Sequence, residues 1–427
     1  MNRRVFMKAG AMSLVTMGLN PTFLRRAVFA QQLPGAQKGK ILICLFQRGA
    51  ADALNIVVPH GEREYYNLRP NIGVPRPNSI SAGSAGVLGN GTAPAAIDLD
   101  GFFGLHPSLA PLKDLWDKGL LAPVHAVGSP SSTRSHFDAQ DYMETGTPDN
   151  KGTPDGWLNR YLAVRGTCAE CEKPTPFNAV ALSSQTPRIL EGPAPSIAMG
   201  SLDDFTVRAT GSDVQRLEAL YRTGSADLIH GTGAETFDAV KMLKGANPQQ
   251  YQPQNGATYP GSPFGRSLKQ IAQLVKANVG LEVAFADVGG WDTHVQQGGA
   301  TGQLANRLSD FAQSISALVT DIGNRMGDVV IVTMSEFGRM ARQNGTGGTD
   351  HGHAGALFVI GGEVKGHKVY GKWPGLAREQ LYEGRDLALT TDFRTVFSEI
   401  LSKHLGTKSN ERVFPGFDGR ANWLGVV

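Results

Sequence analysis

Cysteine is scarce: three residues in 427, too few for a disulfide-built scaffold and without the second C-x-x-C that a four-cysteine metal site needs. Cys168 and Cys171 form one such pair in the loop GTCAECEKP, which in an oxidising compartment predicts a small disulfide. Cys44 sits in an apolar run and reads as an inert core residue. Excess charge is missing too. The formal charge is only +3, from 41 Lys and Arg against 38 Asp and Glu, which provides no basic face for nucleic acid. No window after the N-terminal segment is long and apolar enough for a transmembrane helix, and no repeat or low-complexity tract organises the chain. A G-x-S-x-G elbow is absent, which disfavours a metal-free Ser–His–Asp hydrolase.

Glycine and proline, by contrast, are plentiful at 53 and 24 residues, and point to long ordered loops rather than a helical bundle. Residues 1–30 carry Arg3, Arg4, Phe6 and Lys8, a weakly apolar stretch from Ala9 to Leu19, then Arg25, Arg26 and the small residues Val28 and Ala30. That pattern resembles a twin-arginine export signal ahead of a cleavage point. It implies the twin-arginine translocation machinery as a partner, a periplasmic or secreted destination, and a domain that folds and takes up any metal before transport. The apolar part is too short and glycine-punctuated to span a bilayer, so no stable membrane span is expected in the mature form. The segment holds five of the 41 basic residues and none of the 38 acidic ones, so the mature chain carries a formal charge of about −2. About 400 residues remain, enough for one large α/β domain with an inserted subdomain, or for two domains.

The residues that carry chemistry recur just past the ends of strand-like apolar runs, where open α/β sheets bind ligands. The run at 40–46 leads into QRGAAD and Asp52, the run at 281–286 into DVGGWDTH with Asp292 and His294, and the run at 329–334 into SEFGR with Glu336. A glycine-rich loop then carries Asp350, His351 and His353 ahead of another run at 356–360. Any one of these placements is commonly a helix cap, a turn or a structural histidine. Their recurrence favours a shared metal centre, because imidazole nitrogen and carboxylate oxygen are the usual ligands of zinc, manganese and iron. A further junction, GSPSSTRSHFD after the run at 120–127, offers the hydroxyls of Ser132, Thr133 and Ser135 as nucleophiles. There Arg134 could fork onto phosphate or sulfate at a helix start that favours an anion. The same residues equally suit a Ser/Thr N-cap with His136 as a satisfied neighbour.

Assembled, the motifs resemble an exported bacterial family, domain of unknown function 1501, which is similar in turn to the sulfatase and alkaline-phosphatase superfamily. The resemblance runs through RGAADALNIVVP, GFFGLHPSLAPL, HAVGSPSSTRSHFDAQDYMETG, GGWDTH, GQLANRL, VVIVTMSEFGRMARQNGTGGTDHGHAGALFVIGG and VYGKWPGL. It implies an exported metal-dependent hydrolase of a small anionic ester, with one or two divalent ions, zinc or manganese, and a Ser or Thr nucleophile. Phosphate esters fit better than sulfate esters, since the Cys-x-Pro-x-Arg formylglycine signature is absent. By the same resemblance Asp52 is the first-strand ligand, Asp292 and His294 serve one metal, and Glu336 takes the position of an Asp. His351 or His353 is then the late ligand, with Asp350 behind it. Ser135 is the favoured nucleophile, with Ser132 and Thr133 as competitors, and Arg134 or Arg48 steadies the ester oxygens. Phe337 stands where those enzymes usually carry a histidine, a departure from a standard two-zinc site. The alternative is a non-catalytic exported binding or assembly protein that retains the fold.

The expected fold over residues 31–427 is α/β, a mostly parallel sheet flanked by helices and of alkaline-phosphatase/sulfatase type. Strands are expected near 40–46, 120–127, 281–286, 329–334 and 356–361, helices at 108–118, 264–277, 303–322 and 393–405, and a cap or insertion at about 150–270. Replacing Arg3 and Arg4 by Lys should hold the precursor in the cytoplasm of a host that has the twin-arginine system. Cell fractionation reads the outcome, and undiminished export would contradict the signal.

Overall fold

The computed structural model describes residues 39–77, 94–165, 175, 177–202 and 250–427. The signal segment, Cys168 and Cys171, and much of the expected cap or insertion lie outside them. The first strand, β1 (Ile41–Gln47), is buried at every position. Ile41, Ile43 and Leu45 enter one core while Leu42, Cys44 and Phe46 enter another, the period-two alternation of a strand covered on both faces. Burial pushes the Cys44 thiol pKa up, as befits an unreactive core residue.

Strands β2 (Val57–Val58), β3 (Ile97–Asp98) and β4 (Gly104–Leu105) make a small antiparallel sheet of their own. The main sheet adds β5 (Leu121–Gly128), β6 (Ala179–Ala181), β7 (Ile197–Ala198), β8 (Val283–Val288), β9 (Val329–Met334), β10 (Gly355–Gly361) and β11 (Thr391–Asp392) to β1. Its order is β11-β5-β10-β9-β1-β8-β6-β7, and every pairing is parallel except the two that β10 makes with β5 and β9. Helix α1 (His136–Thr145) follows β5, and α2 (Trp157–Arg165) comes next. Helices α3 (Pro263–Ala277) and α4 (Gln303–Ile322) cover one face through Leu268, Ile271, Leu308 and Phe311. On the other face, α2 and α5 (Phe393–Lys403) pack Trp157, Tyr161, Phe397 and Ile400. Among the described residues no helix is long and apolar enough to cross a membrane.

The reversed direction of β10 decides where its preceding loop lies. Its start shares an edge with the ends of β1, β5, β8 and β9, so Asp350–His353 meets the loops that leave those strands. The crossing of the two chains there is close. A Cβ on Gly338 would meet the Ala354 carbonyl oxygen at 1.9 Å, and one on Gly352 the Arg339 carbonyl carbon at 2.3 Å. Backbone bonds from Gly338 N–H to the His353 carbonyl (2.8 Å) and from Gly352 N–H to the Gly338 carbonyl (2.9 Å) hold the crossing, which only glycines permit.

Within the described part of the 150–270 stretch β6 pairs with β8 and β7 with β6, so both extend the main sheet, and α2 packs into its second core. One expectation needs correction. The helix expected at 108–118 is a 3-10 turn, Pro107–Leu112, running into a short helix, Lys113–Asp117. Pro111 lies inside that turn and has no N–H to continue an α-helical ladder. Leu109, Leu112, Leu115 and Trp116 nevertheless reach the core as their spacing predicts.

Candidate metal centre

A buried arginine sets the geometry at the carboxyl end of the sheet. Arg339, just past β9, sends Nε to the Ala50 carbonyl (2.8 Å), Nη1 to Thr349 (2.9 Å), and Nη2 to Gly49 (2.8 Å) and Trp291 (3.1 Å). Nη2 also reaches Oδ1 of Asp292 at 2.5 Å. The loops after β1, β8 and β9 and the loop before β10 are thereby fixed to one planar group.

Around Asp292 stand three histidines. The Nε2 atoms of His294 and His351 lie 3.0 and 3.3 Å from Asp292 Oδ1, and that of His136 lies 3.5 Å from Oδ2. The donor atoms of His136, Asp292 and His351 all fall within 4.8 Å of one another. Each ring is held from behind through Nδ1: His136 by Glu336 Oε1 (2.8 Å), His294 by Asp350 Oδ1 (3.1 Å) and His351 by the Arg134 carbonyl (2.8 Å). A carboxylate or carbonyl can only accept, so a ring that is neutral and donates through Nδ1 turns an Nε2 lone pair inward. The Nε2 atoms of His294 and His351 are then only 3.0 Å apart. Two lone pairs at that distance need a proton or a cation between them. His136 Nε2 is buried and has no hydrogen-bond partner among the described residues. This is the arrangement in which metal-bound histidines are oriented by carboxylates and carbonyls behind them. The side chains of Asp292 and His294 are 45% and 39% exposed, so the centre opens to solvent, as a catalytic ion requires.

Electrostatics fit the same picture. The Glu336 hydrogen bond, against a smaller burial penalty, holds His136 above the ordinary imidazole value. Burial pushes Glu336 up, but hydrogen bonds from His136, Gln140 and backbone N–H groups together bring its carboxyl below the usual range. Burial likewise raises Asp292, and Arg339 with His294 and His136 more than reverses it. Asp350 is held low first by its Asn344 hydrogen bond, and burial lowers His351.

Of the residues expected to bind metal, Asp292, His294 and His351 come together, with Asp350 one hydrogen bond behind. Glu336 is fully buried and its Oε1 already accepts from Gly49 N–H, His136 and Gln140, so it supports His136 rather than facing the cluster. Asp52 is not brought to the cluster. Its Oδ2 takes Arg69 Nη1 and Gln297 Nε2, both at 2.6 Å. Gln297 Oε1 in turn accepts from Thr293 (2.8 Å) and Thr349 (2.7 Å), so Asp52 supports both ligand loops from below. His353 stacks on Tyr382 at 4.3 Å, away from the three rings, and burial lowers its pKa.

Ser135 is the N-cap position of α1, with no side-chain cap bond, immediately before His136. Thr133 Oγ1 accepts from the Ser135 N–H (3.2 Å), and Ser132 is exposed. The Arg134 side chain is committed to Glu383 and Asp386, each at 2.6 Å. Arg48 binds Asp287, Glu144 and Gln140, the last of which holds Glu336. The sequence offers His136 only as a satisfied neighbour of a helix cap, and assigns no role at the centre to Arg339 or Gln297. His136 is marked as the first helical residue of a strand-exit junction, and Arg339 as a cation two residues beyond Phe337.

The fold and the centre together define an α/β protein with a histidine–carboxylate cluster at the carboxyl end of its sheet. The chain belongs to the family described as "Protein of unknown function (DUF1501)", whose model matches residues 39–415. Comparison with curated proteins and with solved structures returns no match.

The His136–Glu336 pair gives a pH prediction. A raised folded pKa adds stability that is fully present below the ordinary imidazole value of 6.5 and is lost as pH rises through the raised one. Glu336→Gln removes the carboxylate, so the His136 midpoint in metal-free protein should fall, as read by NMR titration of its ring. An unchanged midpoint would contradict the pairing.

Proposed function

We propose that the protein is an exported, metal-dependent hydrolase of phosphate esters, with a divalent ion held by Asp292, His136, His294 and His351 and with Ser135 as nucleophile. The observation that carries the reading is the set of three Nε2 atoms gathered within 3.5 Å of one solvent-open carboxylate. Phosphate is favoured because α1 begins at the cluster. Ala139 N–H is bonded to the Ser135 carbonyl, and the N–H groups ahead of it are those a helix leaves free for an anion. The Ser135 hydroxyl is not spent on capping that helix. A sulfatase- and alkaline-phosphatase-like fold is supported by ligands placed after β8 and ahead of the single reversed strand.

Bound in this cluster, the ion would polarise the ester and lower the pKa of the attacking hydroxyl. Ser135 Oγ bonds to phosphorus as the bond to the leaving alcohol breaks, and its proton passes to solvent through the open side. The leaving alcohol takes up a proton there, and water then releases phosphate from the serine. Glu336, Asp350 and the Arg134 carbonyl keep the three rings in the tautomer this needs. The second reading, a non-catalytic exported binding or assembly protein, is favoured by Phe337. Its ring lies 5.0 Å from those of both His136 and His351, where the resemblance would put a further ligand.

Hydrolysis of p-nitrophenyl phosphate by zinc- or manganese-loaded protein separates the two readings. Ser135→Ala should lower kcat by at least about 1,000-fold with metal content unchanged, whereas Asp292→Asn should lose metal and activity together. No turnover of any phosphate or sulfate ester by the loaded protein would leave the binding reading as the better one.

A further inference from the structure

We infer that the centre holds a single nitrogen-ligated ion of the zinc type, because two buried guanidiniums occupy the carboxylates that a second cation would need. The inference rests on the metal reading of the cluster and adds to it the number and kind of ions.

The first argument is which oxygens remain. A second ion near the ends of β1 and β8 would look to Asp52 and Asp292. Arg69 Nη1 and Gln297 Nε2 already fill Asp52 Oδ2, leaving its buried Oδ1 without a hydrogen-bond partner among the described residues, and Arg339 Nη2 lies 2.5 Å from Asp292 Oδ1. Neither arginine can swing aside. Both guanidiniums are fully buried, and each is also tied to backbone carbonyls: Arg69 to Met340 and Ala341, Arg339 to Gly49, Ala50, Trp291 and Thr349. Glu336 Oε1 is shared by three N–H donors and its Oε2 faces Ser335 Oγ at 3.1 Å. Oxygen-rich sites for magnesium or manganese need several converging oxygens, whereas the donors gathered at Asp292 are mainly imidazole nitrogens.

The second argument is charge. The three imidazole rings and the Asp292 carboxylate, with the side chains directly hydrogen-bonded to them, comprise the carboxylates of Asp292, Glu336 and Asp350 and the guanidinium of Arg339. Three negative charges and one positive leave two negative, which one divalent ion neutralises. Asp52 and Arg69 cancel each other. A second dication would sit uncompensated beside a buried guanidinium, an arrangement that low-dielectric surroundings penalise. The donors that do converge are three imidazole nitrogens and one carboxylate, a set that suits a single tetrahedral or five-coordinate zinc.

The test loads the full mature protein with Zn2+ alone, removes weakly held metal by gel filtration, and measures zinc per chain by elemental analysis and native mass spectrometry. One equivalent is expected. Two tightly held equivalents would overturn the single-ion inference while leaving the metal reading intact, and none would overturn both. Asp52→Asn should still take up one equivalent at saturating zinc, with affinity lowered about 10-fold through lost support of the two loops, whereas Asp292→Asn should lose more than about 100-fold. If Asp52→Asn fails to fold with Arg69 unpaired, the Asp52→Asn/Arg69→Gln double variant keeps the comparison, since it removes both charges together. Loss of zinc from the folded Asp52 variant would make Asp52 a ligand and overturn the inference.

Discussion

A planar guanidinium buried among acceptors from several loops is satisfied only while those loops stay together. Arg339 imposes that constraint here. Its donors end on carbonyls of the β1 and β8 exits and of the loop before β10, and its charge on Asp292. Leaving such acceptors or the arginine unpaired in the interior costs far more than a surface bond would. The position of Asp292, and with it the point on which three imidazoles converge, thus follows from a group that is not itself a metal ligand.

A second tie lies beneath the first. Gln297 is fully buried, receives hydroxyls from Thr293 and Thr349, and passes its own N–H to Asp52. Thr293 stands between Asp292 and His294, and Thr349 precedes Asp350, so both ligand-bearing loops rest on one amide. The Asp52–Arg69 ion pair anchors that amide to the β1 exit. The centre is therefore held from below by a buried polar network and left open above, where a substrate would approach.

Much of the sheet was legible from apolar runs alone. β1, β5, β9 and β10 lie within a residue or so of where buried, β-branched stretches predict them, because strands covered on both faces must be apolar throughout. β7 is harder, since a strand of two residues is too short to show a period. The direction of β10 is likewise not written in its composition. At the centre, Asp292 and His294, placed after a strand end, lie beside His351. The same rule could not tell Asp52 from a ligand, because a sequence names a carboxylate without naming its partner, and here the partner is Arg69. His136 was obscured by the hydroxyls before it, and Glu336 sits behind His136 because a fully buried carboxylate must find its donors within the protein.

X-ray absorption at the metal edge of the loaded protein tests the central claim most directly, since it reads the atoms around the ion whatever the reaction. The account predicts about three imidazole nitrogens and a carboxylate oxygen at roughly 2.0–2.2 Å, with imidazole signal lost stepwise in the His136 and His351 alanine variants. A shell made of oxygens alone, or one that neither variant changes, would contradict it.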